Sequence, residues 1–248
     1  MRTTGLLAFG RKNLSLEQKK LVKLYIEYAR NIMPKEVIKM AGKMNVDVNE
    51  IFKNILFSSK RELYESSVSN FLGVYGNYIA TEYLSKDYSN IENEKQIETI
   101  NGKTFIDIYF EDKDFINLCE VKVVPQILLS LKAYKNYKYD GIKREDFEFS
   151  KGYSQKRNFV MSGKKLIKQI EILDSYRQEH KNVKINFINF ENSHIDNKIL
   201  IKLKEFNVNI ITIPVDVYEI LDKVNGYMSD IYTYGRNLMA EHSLNPVS

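Results

Sequence analysis

Three polar side chains interrupt two apolar stretches near the middle of this 248-residue chain. Asp107 breaks Phe105-Ile-Asp-Ile-Tyr-Phe110, and Glu120 and Lys122 break Leu118-Cys-Glu-Val-Lys-Val-Val124. Glu120 and Lys122 are two apart and share one face of an extended strand, while Cys119, Val121 and Val123 point the other way into a core. Two converging carboxylates make a hard, oxygen-lined site suited to Mg²⁺ or Mn²⁺, to which the Val121 carbonyl adds an oxygen. A lysine beside such a cation is placed to orient and help deprotonate a water, or to stabilise charge growing on a phosphate. The competing reading is a plain ion pair from Lys122 to Asp107 or Glu120 on a solvated sheet face.

The flanking sequence has to bring these groups together. Strand-like runs at Gln96–Ile100, Thr104–Phe110 and Phe115–Val124 are separated by Asn101-Gly102, a strong hairpin turn, and by the polar turn Glu111-Asp-Lys-Asp114. A two-residue second turn sets Asp107 directly opposite Glu120, and a four-residue one sets it diagonal; both leave the two on one face, within roughly 5–8 Å Cβ to Cβ. Before the hairpin, residues 62–84 read as one helix in which Gly73 and Gly76 mark close packing against another backbone.

The first sixty residues read as helices. Ser15 and Gln18 form a capping-box pattern, Leu21, Leu24, Tyr25, Tyr28 and Ile32 follow at helical spacing, and Pro34 opens the next helix. Ala41, Asn45 and Ile51 occupy the crossing, turn and core positions of a helix-turn-helix, with Asp47 capping a second helix to about Phe57. In such a unit Val48, Asn49 and Lys53 face the major groove, with Lys39 and Lys43 near phosphate. The alternative is a helical cap with no partner of its own. Ser58-Ser-Lys60 is the expected seam, dividing a helical module over 1–60 from a second domain over 61–248.

Charge is blocked along the chain: twelve basic against five acidic side chains over 1–60, six against twelve over 61–124, and ten against four over 125–165. An acidic centre flanked by basic stretches suits a protein that grips a polyanion around a bound cation, the competing reading being a lysine-rich surface that is simply solvated. Lys132, Tyr134, Lys135, Tyr137, Lys138, Arg144, Lys156 and Arg157 mix basic and aromatic side chains as a clamp on nucleic acid would, and Lys164 and Lys165 extend it. A lysine-rich excursion or a dimer-forming arm is the alternative. One cysteine, Cys119, rules out a disulfide framework, and with His180, His194 and His242 it cannot assemble a Cys/His zinc site. No apolar run reaches the ~18 residues of a membrane span, so a soluble cytoplasmic protein is expected.

An aspartate on one strand, then Glu-x-Lys on the next across a short hairpin that follows a helix, resembles the PD-(D/E)xK nuclease superfamily. The resemblance runs from about Glu62 to Pro214. It implies an α/β fold, a restriction-endonuclease-like core with a mixed sheet flanked by helices. It also implies a helix after the Glu-x-Lys strand whose glutamine reaches the site, here Gln169 within Gly163–Tyr176, then strands at Val183–Phe190 and Val208–Ile213 around a helix over Ser193–Phe206. Ile106 stands at the name-giving proline, and Asn77 stands where many members carry a helix glutamate that Glu82 or Glu65 would have to replace. Two carboxy-terminal helices, Asp216–Val224 and Tyr227–His242, complete the expected elements.

The resemblance implies a Mg²⁺- or Mn²⁺-dependent endonuclease acting on double-stranded DNA, with Asp107 and Glu120 as metal ligands beside the Val121 carbonyl. Restriction-type double-strand cleavage by a homodimer is the first expectation. A junction-resolving or repair nuclease, or a non-catalytic DNA-binding regulator, is the alternative.

Overall fold

A computed structural model describes residues 14–57, 61–100, 102–129 and 160–242, with the side chains of 57, 61–65 and 160 left out of the description. Three helices open it: α1 (Leu16–Ile32), α2 (Lys35–Lys43) and α3 (Val48–Phe57). Ser15 and Gln18 form the expected capping box on α1. Asn45 takes the left-handed conformation, φ 54°, between α2 and α3, and the Asp47 carboxylate accepts from the Asn49 and Glu50 amides to start α3. The long helix α4 (Arg61–Leu84) leads into the hairpin strands β1 (Glu92–Thr99), β2 (Gly102–Asp112) and β3 (Phe115–Val121). After β4 (Gln126–Leu128) and β5 (Val160–Ser162) come α5 (Gly163–Glu179), β6 (Val183–Glu191), β7 (His194–Ile195), α6 (Asn197–Glu205), β8 (Asn209–Asp216) and α7 (Val217–Glu241).

The fold is α/β around a mixed five-stranded sheet of order β1-β2-β3-β6-β8. β1 pairs with β2 and β2 with β3 antiparallel, and β3, β6 and β8 pair in parallel. One face packs on α4 and α7 through Ile108, Phe110, Cys119, Val121, Ile188 and Phe190, and α1–α3 join the same core from behind those helices. The other packs on α5 and α6 through Tyr109, Leu118, Ile185 and Phe187. A short parallel sheet of order β5-β4-β7 lies beside it. Among the described residues no helix is long and apolar enough to cross a membrane.

Several sequence expectations are corrected. β1 begins at Glu92, four residues early, because the polar run Glu92-Asn-Glu-Lys95 pairs with β2 without an apolar alternation to announce it. His194 pairs in β7 and does not start a helix. The two expected carboxy-terminal helices are one: the buried stripe Val217, Ile220, Leu221, Val224, Met228, Ile231 and Leu238 continues through Gly226 and outweighs the ~1 kcal/mol cost of one helical glycine. The seam at 58–60 lies outside the described residues, and the helices on either side of it share one continuous core, from Leu21 and Phe52 to Phe71 and Met239.

The two glycines of α4 are unlike. A methyl at Gly76 would lie 2.1 Å from Val123 Cγ2, whereas one at Gly73 meets nothing within 4 Å. Gly73→Ala is expected to raise stability by about 0.5–1 kcal/mol through helix propensity. Gly76→Ala is expected to lower it, because overpacking of about 1–3 kcal/mol exceeds that gain. Urea unfolding midpoints of the two variants should move in opposite directions.

Candidate functional site

The second hairpin turn is the two-residue one. Asp112 pairs with Phe115 and Ile108 with Cys119, so the register carried one step further sets Asp107 opposite Glu120. Beyond Cys119 the ladder between β2 and β3 opens. The Lys122 amide donates to the Ile188 carbonyl on β6, which leaves the Val121 amide aimed at β2. There it meets a side chain: Val121 N–H donates to Asp107 Oδ2 at 2.8 Å. A charge-assisted bond of this kind is worth about 1.5–3 kcal/mol and fixes the carboxylate against the strand.

Lys122 closes the constellation. Its ammonium pairs closely with Glu120 Oε1, lies 3.6 Å from Asp107 Oδ2 and donates to the Val121 carbonyl at 3.1 Å. The Glu120 side chain is only 5% exposed, against 17% for Asp107 and 19% for Lys122. A pair so placed owes its persistence to mutual neutralisation, since either carboxylate alone at that depth is costly. The solvated-face reading of the ion pair therefore does not describe this sheet. The side chains of Leu118 and Phe187, beside Glu120 on the same face, are fully buried under α5.

Three oxygens, Asp107 Oδ2, Glu120 Oε1 and Val121 O, thus converge on one cation, the ammonium. They are the oxygens expected to hold Mg²⁺ or Mn²⁺. Two carboxylates and a peptide oxygen suit Mg²⁺, which keeps several of its waters and takes only one or two protein carboxylates. Among the described residues no three His, Cys, Asp or Glu side chains gather as a metal group, so a cation here would have only this pair and the carbonyl as protein donors.

The other expected residues fall out differently. Gln169 is half-buried on α5, in the same helical stripe as Leu166, Ile170 and Leu173, which cover the face carrying Glu120. Among the described residues no hydrogen bond joins it to the hairpin groups. Asn77 is 3% exposed, donates to the Gly73 carbonyl at 3.1 Å and leaves Oδ1 without a hydrogen-bond partner. Glu82 is exposed, and the side chain of Glu65 lies outside the description.

In the expected helix-turn-helix, Val48 is corrected: it is 5% exposed and packs into the core, so it presents nothing to a groove. Asn49 is held by Arg30 Nε at 3.0 Å, and Lys53 faces Glu50 at 3.7 Å. α3 touches α1, α4 and α7, and none of the side chains described over 48–56 is fully exposed. Lys39 and Lys43, one turn apart on α2, are exposed, as are Lys164 and Lys165 at the start of α5. Lys132, Tyr134, Lys135, Tyr137, Lys138, Arg144, Lys156 and Arg157 lie outside the described residues.

Behind the site, Cys119 is fully buried, and burial pushes its thiol up to about 12. Among known proteins, no family model matches the chain and no curated protein matches it.

Two measurements follow from this geometry. Lys122→Met leaves two carboxylates facing each other without their cation, at an expected cost of about 3 kcal/mol. Millimolar Mn²⁺ should restore much of it, read as the thermal unfolding midpoint with and without metal. The native thiol of Cys119 should resist iodoacetamide at pH 8 and react fully once the chain is unfolded in urea.

Proposed function

We propose that the protein is a metal-dependent DNA endonuclease of the restriction-endonuclease-like kind, with Asp107, Glu120 and Lys122 at its active centre. The observation that carries this reading is the convergence of Asp107 Oδ2, Glu120 Oε1 and Val121 O on a single positive charge. Their order on the two strands, Asp and then Glu-x-Lys across a two-residue turn, supports it further.

In this reading Asp107, Glu120 and the Val121 carbonyl hold Mg²⁺ or Mn²⁺. The bound ion supplies Lewis-acid polarisation of the phosphodiester and an acidified water. The chain's own groups do the rest. The Val121 amide orients Asp107 by donating to Oδ2. Lys122, released from its pairing with the two carboxylates, donates through Nζ to the attacking water or to the phosphate oxygen that gains charge. Water adds to phosphorus and the O3′ leaves, giving a 5′-phosphate and a 3′-hydroxyl. Gln169, from the helix over this face, supports the water. Exposed Lys39, Lys43, Lys164 and Lys165 offer phosphate contacts. Double-strand cleavage by a homodimer would put two such centres across the two strands.

A second reading, a DNA-binding regulator with a closed site, is favoured by the same ammonium, which pairs with both carboxylates without any metal. The two readings separate in one assay on a mixed plasmid and phage DNA panel with Mg²⁺, Mn²⁺ or EDTA. The nuclease yields discrete fragments that vanish in EDTA. Asp107→Ala and Lys122→Ala should each lower cleavage by about 100-fold or more, while gel-shift affinity for the same DNA stays within about threefold. Metal-independent shifts without cleavage by the wild type would establish the regulator.

A further inference from the structure

β1 and β2 hold one register on both sides of a single position. Asn93 pairs with Ile108 and Lys95 with Ile106, so Glu94 and Asp107 face each other between them. The faces of the ribbon nevertheless change there. Ile97 and Ile106 pack with Tyr109 and Leu118 under α5, whereas Ile108 and Phe110 pack on the opposite side of the sheet. Ile106 and Tyr109 are an odd number of residues apart, and regular alternation would put them on opposite faces. The ribbon therefore turns by one face at Asp107 without slipping in register.

The backbone feature that accompanies this turn is Glu94, at φ 52°. Among the described residues, positive φ at non-glycine positions otherwise falls on asparagines in turns and bends and on Lys113 in the hairpin loop. Glu94 is the one inside a strand. A glutamate gains nothing local from the left-handed region, and such residues persist where the surrounding structure requires them. What the turn accomplishes lies directly across the ribbon: it brings the Asp107 carboxylate to the Val121 amide and within reach of Lys122.

We propose that Glu94 is a positioning residue, whose left-handed backbone turns the β1–β2 ribbon so that Asp107 enters the candidate centre. Its consequence for catalysis rests on the nuclease reading; its consequence for Asp107 does not. The proposed role is that of the Glu94 backbone. Glycine or asparagine, which enter the left-handed region readily, can therefore replace it, and a β-branched residue cannot.

The test follows the Val121 amide in ¹⁵N–¹H spectra of the full chain, with Asp107→Ala marking the shift of the unbonded state. Glu94→Gly and Glu94→Asn should keep the wild-type shift and slow exchange. Glu94→Val should move to the Asp107→Ala position and exchange at least about tenfold faster. In the DNA assay Glu94→Gly should cleave at least about tenfold faster than Glu94→Val. Loss of the amide signature in Glu94→Gly, or its retention in Glu94→Val, would overturn the proposal. If Glu94→Val fails to fold, the glycine and asparagine variants decide it by keeping or losing that signature. A wild type that cleaves nothing would remove the nuclease reading, and the amide comparison would still decide the role of Glu94.

Discussion

The peptide of Val121 is the point on which the site depends. β3 has β6 on one side and β2 on the other, and its amides alternate between them. At Val121 the β2 backbone has turned away, and a buried N–H without an acceptor would be expensive. Asp107 meets that need with a carboxylate oxygen, and so a carboxylate is fixed at the depth of the sheet. The Val121 carbonyl, on the same peptide, faces the Lys122 ammonium. One residue with an apolar side chain thus anchors both the acidic and the basic member of the centre, through its backbone alone.

Everything around it keeps that peptide in place. Cys119, Val121 and Val123 enter the core under α4, where Gly76 lets the helix backbone approach Val123. Glu120 lies on the opposite face beside Leu118 and Phe187, under the Leu166, Ile170 and Leu173 stripe of α5. Low polarity on both sides makes the charges strongly interdependent: removing the ammonium leaves two carboxylates uncompensated, and a cation taking its place would restore a counter-charge. Three oxygens therefore surround one positive charge, that of the Lys122 ammonium.

Much of this was legible in the sequence because polar residues inside apolar strands are rare enough to need a cause. Asp107, Glu120 and Lys122 were found in that way, and strand periodicity put Cys119, Val121 and Val123 in the core. The capping box at Ser15, the turn at Asn45 and the cap at Asp47 were legible because each depends on local chemistry. Other features were not. Val48 begins α3 as an exposed residue would, but α1, α4 and α7 surround that helix, and packing among distant elements has no local signature. The break expected between Val224 and Tyr227 is absent, since a buried stripe on both sides of Gly226 outweighs one propensity. Glu94 was hidden in Glu92-Asn-Glu-Lys95, whose polarity gives no strand period, and its importance appears only once the partner across the ribbon is known.

Diffraction at the manganese absorption edge from crystals soaked in Mn²⁺ tests the central claim most directly. The account predicts one anomalous peak in contact with the Asp107 and Glu120 carboxylates and the Val121 carbonyl, with the Lys122 ammonium moved off all three. No peak there, with Lys122 still paired to both carboxylates, would contradict it and leave the hairpin a buried ion pair.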